Sequence, residues 1–139
     1  MSDALPITAA PMTTCYAGKS FERTPDAASA ARNLVRDVLL SWDLEQLSDC
    51  AVLVVTELVS NAVRHAKGDA LRVTVVRHSH QQVRVCVIDK DRTRPRFRPG
   101  SLDEESGRGL LLVEAMSSVW GVDVLAGGKR VWAVLEATA

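Results

Sequence analysis

Apolar positions recur at helical spacing twice in the first half of the chain. After Pro25, the residues Ala27, Ala30, Ala31, Leu34, Val35, Val38 and Leu39 share one side of a helix, with Arg32, Arg36 and Asp37 opposite, and the pattern stops near Trp42. Thr24-Pro25-Asp26 predicts the start: a capping Thr, a Pro at the first helical position and an acid suited to the positive end of the dipole. A second start at Ser48-Asp49, preceded by Leu47, launches a helix through Val54, Val55, Leu58, Ala62 and Ala66 that Gly68 closes. Ahead of both, residues from about 13 to 22 predict a strand interrupted by Gly18.

Beyond Gly68 the period falls to two. Leu71, Val73 and Val75 alternate in one strand; Val83, Val85 and Val87 alternate in the next, with Cys86 and Ile88 on its other face. His78-Ser79-His80-Gln81 connects them, and with no Cys or acid nearby its two histidines read as solvated. Residues 90 to 106 have no period, and an unpatterned stretch of that length inside a compact domain is usually functional. Ser106-Gly107-Arg108-Gly109 then opens a short helix from Leu110 to about Ser117, followed by two strands near 119–126 and 129–137 joined at Gly127-Gly128. Paired strands with few crossover helices predict a two-layer α/β sandwich, a mixed sheet with helices on one face.

Composition narrows the class. The chain has 139 residues, 47% apolar and 24% charged, which suits a single domain over residues 12–139 behind a loose, proline-containing tail at 1–11. Acidic and basic residues balance at 17 each, so no electrostatic footprint points to nucleic acid or to a membrane surface. Cys15, Cys50 and Cys86 are too far apart in sequence for the close pairs of a metal site and read as thiols in a reducing cytosol. No basic start followed by an apolar run marks a signal peptide, and no apolar run approaches the roughly 20 residues that span a bilayer, so the expected compartment is the cytoplasm.

The chemistry concentrates on the second helix. Glu57, Asn61 and His65 stand four apart and therefore stack along one stripe. Such a stripe either faces water or forms a magnesium–nucleotide site, since an amide oxygen suits a hard cation and a carboxylate can take a proton. Asp89 ends a strongly apolar strand, where a carboxylate either starts a turn or accepts a hydrogen bond from an exocyclic amine such as that of adenine. Gly107-Arg108-Gly109 ahead of a helix could offer backbone N–H groups and a positive charge to phosphates. Arg92, Arg94, Arg96 and Arg98 alternate in the long loop, and either grip phosphate or an acidic partner or are simply solvated.

In this order the motifs resemble those of the GHKL ATPase superfamily, which includes gyrase and the histidine kinases, and most of all its short anti-sigma-factor serine kinases of actinobacterial type. ELVSNAVRH looks like the family's N box, the Ile88-Asp89 strand end like its first glycine box, SGRGLLLVEAMSSVWGV like its second, and GGKRVWAVL like its closing strand. The resemblance covers the chain from about Ser20 to Leu135 and implies the Bergerat fold. It implies Glu57 as general base, Asn61 as Mg²⁺ ligand and Asp89 on the adenine amine. Gly107, Arg108, Gly109 and Leu110 would lie along the phosphates, with His65 helping to order the site. It further implies ATP and Mg²⁺ as cofactors, a sigma factor and a STAS-domain antagonist as partners, and a possible homodimer. The chain departs from the family at Asp91, where a glycine or small residue is common, and at Arg130, where a Thr is common. Those departures keep a second function open: an ATP-gated binding module of the same fold that does not transfer phosphate.

Overall fold

The computed structural model describes residues 15–65, 68–90 and 104–137, with side chains in the last segment from 110 onward. The N-terminal tail, the start of the first expected strand and the arginine-bearing loop with Asp91 lie outside the described residues. The order is β1 (Tyr16–Glu22), α1 (Asp26–Ser41), a single 3₁₀ turn (Glu45–Leu47), α2 (Ser48–His65), β2 (Ala70–Ser79), β3 (Gln82–Asp89), α3 (Glu104–Met116), β4 (Val119–Leu125) and β5 (Gly128–Glu136).

Helix α1 begins as the Pro signal predicts, but Thr24 does not cap it through its side chain. Pro25 already has helical dihedrals and no side-chain capping bond forms. The Thr24 carbonyl instead accepts from the Ala27 N–H at 2.9 Å. The buried positions Ala27, Ala31, Val35 and Leu39 recur at exact four-residue steps, one row along the helix. Helix α2 buries Ala51, Val54, Val55, Leu58, Val59 and Ala62, a wider stripe, because it lies over β3 and β5 with α1 and α3 on either side. Each of its fully buried Val or Leu side chains contributes about 1.5–3 kcal/mol through removal from water. One sequence expectation needs correction here: Glu45–His65 is long and apolar enough, by length and composition, to pass for a membrane span. Its apolar stripe is the centre of the core.

The strands form one sheet in the order β1-β2-β3-β5-β4. The α/β sandwich is as expected, but the sheet is not mixed: every pairing among the described residues is antiparallel. The reason is topological. Helix α3 returns the chain so that β4 runs in the same direction as β3, and β5 then inserts between the two, so these parallel strands are never neighbours. Alternation places Leu71, Val73, Val75, Val83, Val85, Val87, Val131, Ala133 and Leu135 on the helix-covered face.

Two arginines tie helix ends to the sheet. Arg23, just past β1, donates from Nε to the Gly68 carbonyl at 2.7 Å and from Nη1 to the Val63 carbonyl at 2.8 Å, engaging orphan carbonyls at the end of α2. Arg77 donates to the Trp42 carbonyl at 3.0 Å past the end of α1. Gly68 has φ +88°, the left-handed conformation that ends helices and that side chains resist.

The β4–β5 hairpin turns at Ala126-Gly127, with Leu125 opposite Gly128. Gly128 cannot carry a side chain: a Cβ there would run into the Asp89 carbonyl oxygen and stand 2.8 Å from Lys90 Cα. Gly127 has nothing within 4 Å. Gly128→Ala is therefore expected to cost about 1–3 kcal/mol or more through overpacking, and Gly127→Ala to stay within about 0.5 kcal/mol. Denaturant unfolding of the two variants checks this, and equal stabilities would show that the strands can part at no cost.

Candidate functional site

The second helix carries the expected stripe on its flank. Glu57 and Asn61 are half-buried, and His65 is exposed in the last turn. They project neither into the core, which Leu58 and Ala62 fill, nor wholly into solvent. Glu57 makes no hydrogen bond or ion pair among the described residues. The Asn61 side-chain oxygen, the atom a cation would use, accepts from Arg64 Nη2 at 3.1 Å. A positive group thus already sits against that oxygen.

The C-terminal end of α2 meets the end of β3. Gly68 lies against the side chain of Lys90, whose Cδ would be 3.1 Å from an added Cβ. Asp89, the residue before it, is buried at 4% exposure. Asp89 faces the helix layer in phase with Val85 and Val87, so the apolar alternation of β3 ends in a carboxylate at the edge of the core. Across the strand pair its partner is Lys129. The Lys129 ammonium stands 3.2 Å from Asp89 Oδ1, with side-chain exposures of 7% and 1%. A pair this far from water requires mutual compensation, because either charge alone would be costly to desolvate.

Helix α3 supplies the third component. It starts at Glu104, earlier than the glycines predicted, so Gly107 and Gly109 lie inside it rather than ahead of it. Two glutamates suit the positive end of a helix and let it begin there. Its first N–H groups, through residue 106, have no intrahelical partner and could meet an anion. Gly107 and Gly109 follow within the helix. The chain leaves β3 at the Asp89 end and re-enters the sheet at Val119, opposite Val134 at the other end, so α3 runs back with its N-terminus nearer Asp89. Leu110 is fully buried, and Val113 of the next turn joins the hydrophobic core.

Arg130 does not belong to this constellation. It lies on the face of the sheet away from the helices, where Nε and Nη2 both donate to Asp123 Oδ2, at 3.1 and 2.7 Å. Those hydrogen bonds, aided by Trp132 and the charges of Arg130 and Arg84, hold the Asp123 carboxyl below its ordinary value, with desolvation opposing them. The Trp132 indole N–H contributes to the effect although it makes no hydrogen bond of good geometry.

Sequence reasoning missed Lys129, Gly128, Arg64 and Arg23. Lys129 was legible: it is the first member of an alternation whose other members, Val131, Ala133 and Leu135, are all core. Gly128 and Arg23 act through contacts distant in sequence and left no local signal. For magnesium, the donor set fits a cation held jointly with a ligand: Asn61 offers one neutral oxygen, and among the described residues no three His, Cys, Asp or Glu side chains cluster to form a protein cage. Magnesium in phosphate sites is commonly held by one or two protein groups, waters and phosphate oxygens. His78 and His80 are exposed, as expected.

Residues 21–135 match the family model for the histidine kinase-like ATPase domain. No curated protein matches the chain. Among solved structures, the crystal structure of the RsbU and RsbW domains of Rv1364c from Mycobacterium tuberculosis superposes with a TM-score of 0.63 at 22% identity. The match covers 87% of this chain and 32% of that one, and it demonstrates a shared fold.

The outward position of Arg130 gives a test. Arg130→Ala is expected to leave ATP affinity within about twofold of wild type, a change of about 0.4 kcal/mol, since its side chain is held by Asp123 on the opposite face of the sheet. Asp123 has a depressed value in the folded state, so its contribution to stability is present above the ordinary carboxylate range and lost as pH falls through the folded value. The stability difference between wild type and Arg130→Ala should accordingly shrink as pH drops below about 4. Urea unfolding across pH, with nucleotide titration at pH 7, checks both expectations.

Proposed function

The chain belongs to the histidine kinase-like ATPase family, and from that premise we propose that it is an ATP-dependent anti-sigma-factor kinase. It transfers phosphate to a Ser or Thr of a small STAS-domain antagonist and binds a sigma factor when the antagonist does not compete. What supports the reading is that α2 carries Glu57 and Asn61 on successive turns, while the turn that follows it packs at Gly68 against Lys90, next to the buried Asp89. Such a site can hold a base, a triphosphate and an attacking hydroxyl at once.

In this reading Asp89 accepts a hydrogen bond from the adenine amine, and backbone N–H groups near Gly107 face the phosphates with Arg108 alongside. Asn61 would be the residue to hold magnesium, which would supply charge neutralisation at the β and γ groups. Glu57 accepts the proton of the substrate hydroxyl. The hydroxyl oxygen forms its bond to the γ phosphorus while the bond to the β–γ bridging oxygen breaks, and ADP carries away that electron pair. Glu57 suits the role because it is half-buried and engaged by no other described group. His65 and Leu110 would support the site rather than touch the reacting atoms.

The direct test is incubation with Mg-ATP and candidate STAS antagonists, scored by intact mass. One phosphate gained by an antagonist supports the kinase; bound nucleotide with no transfer to any of them would replace it with an ATP-gated binding module. Two variants divide the roles. Asp89→Asn is expected to weaken ATP binding about 10- to 100-fold, since hydrogen bonds to charged groups are worth about 1.5–3 kcal/mol. Glu57→Ala should bind ATP nearly as wild type and transfer no phosphate, and persisting transfer would remove it as base.

A further inference from the structure

Lys129 is a cation at a core position. It stands on the helix-covered face of β5 in phase with Val131, Ala133 and Leu135, where the pattern calls for an aliphatic side chain. Its ammonium goes to Asp89 Oδ1, and its strand is pressed so closely on Asp89 that the preceding residue can only be glycine. The register Asp89↔Lys129 is thereby fixed by backbone contact as well as by charge. We propose that Lys129 is a positioning residue for base recognition: it fixes the Asp89 carboxylate in the orientation that accepts the adenine amine. The inference rests on the nucleotide reading above and goes beyond it by assigning selectivity to a pair of residues rather than to one.

A buried carboxylate needs a group that both compensates its charge and sets its direction. Asp89 has an sp² terminus whose torsion is broad, so burial alone does not choose its orientation. Pairing one oxygen with an ammonium removes that freedom and compensates the charge in a low-dielectric setting. Adenine presents an amine donor where guanine presents a carbonyl. An oriented carboxylate attracts the first and repels the second. A carboxylate free to rotate, or drawn toward solvent, discriminates less well. Lys129 thus acts on binding through Asp89 and on the choice of purine through the same carboxylate.

The experiment is calorimetric titration of ATP and GTP into wild type, Lys129→Met, Lys129→Arg, Asp89→Asn and the Asp89→Asn/Lys129→Met double variant, with thermal unfolding of each. Lys129→Met is expected to lose at least tenfold in ATP affinity and to narrow the ATP-to-GTP preference, and Lys129→Arg to recover most of both. In the Asp89→Asn background the Lys129→Met change should alter ATP affinity by less than about twofold, the signature of coupling in a double-mutant cycle. The double variant carries no uncompensated buried charge, so it stays informative if Lys129→Met alone does not fold. ATP affinity and purine preference unchanged in Lys129→Met, with only its melting temperature lowered, would overturn the inference and leave the nucleotide reading standing. The same ATP loss with and without Asp89 would also overturn it, by making Lys129 a direct ligand contact. No ATP binding by wild type would overturn the nucleotide reading and this inference together.

Discussion

The structure depends on bringing a carboxylate out of water at the end of an apolar strand. Asp89 is tolerated there because β5 lies against β3 closely enough to put Lys129 opposite it. That approach excludes a side chain at Gly128. Backbone packing and charge compensation are therefore one constraint seen from two sides. A looser sheet would leave the carboxylate uncompensated, and an apolar residue at position 129 would leave the tight approach without its electrostatic purpose. The insertion of β5 between β3 and β4 follows from the same requirement, since only a strand in that place reaches Asp89 from the side not already held by β2.

Helix α2 answers a different demand. It must bury a stripe wide enough to serve as the centre of the helix layer while keeping Glu57 and Asn61 available on its flank. Its near-continuous Val and Leu content makes it resemble a membrane segment by composition, and the polar stripe four residues apart is what distinguishes it. The helix packs against both α1 and α3. Its end is set by the turn at Gly68 and that turn's contact with Lys90.

Most of the fold was legible because the two periods are clear. Four-residue steps gave α1 and α2, and alternation gave β2 and β3 with the right faces. What failed was whatever depended on partners. The sheet was expected to be mixed because strand direction can be counted from connections, but which strands become neighbours is decided by packing. The start of α3 was placed at its glycines because Gly interrupts helices in general, whereas a helix held to the core by Val113 and begun by two glutamates can run through them. Arg130 marks a position where a Thr is common in the family, but its side chain is held by Asp123 on the face of the sheet away from the helices, because a shift of a single residue along a strand reverses the face. The residue that does face Asp89 is its neighbour, Lys129.

Arg23 has a consequence for how the molecule opens. Its guanidinium joins an outer strand to the terminal carbonyls of the helix bearing Asn61, and its own N–H donates to the Asp69 carbonyl at 2.8 Å. Fraying of that helix end and detachment of the β1 margin are therefore a single event rather than two. The two regions are expected to exchange their amides as one cooperative unit.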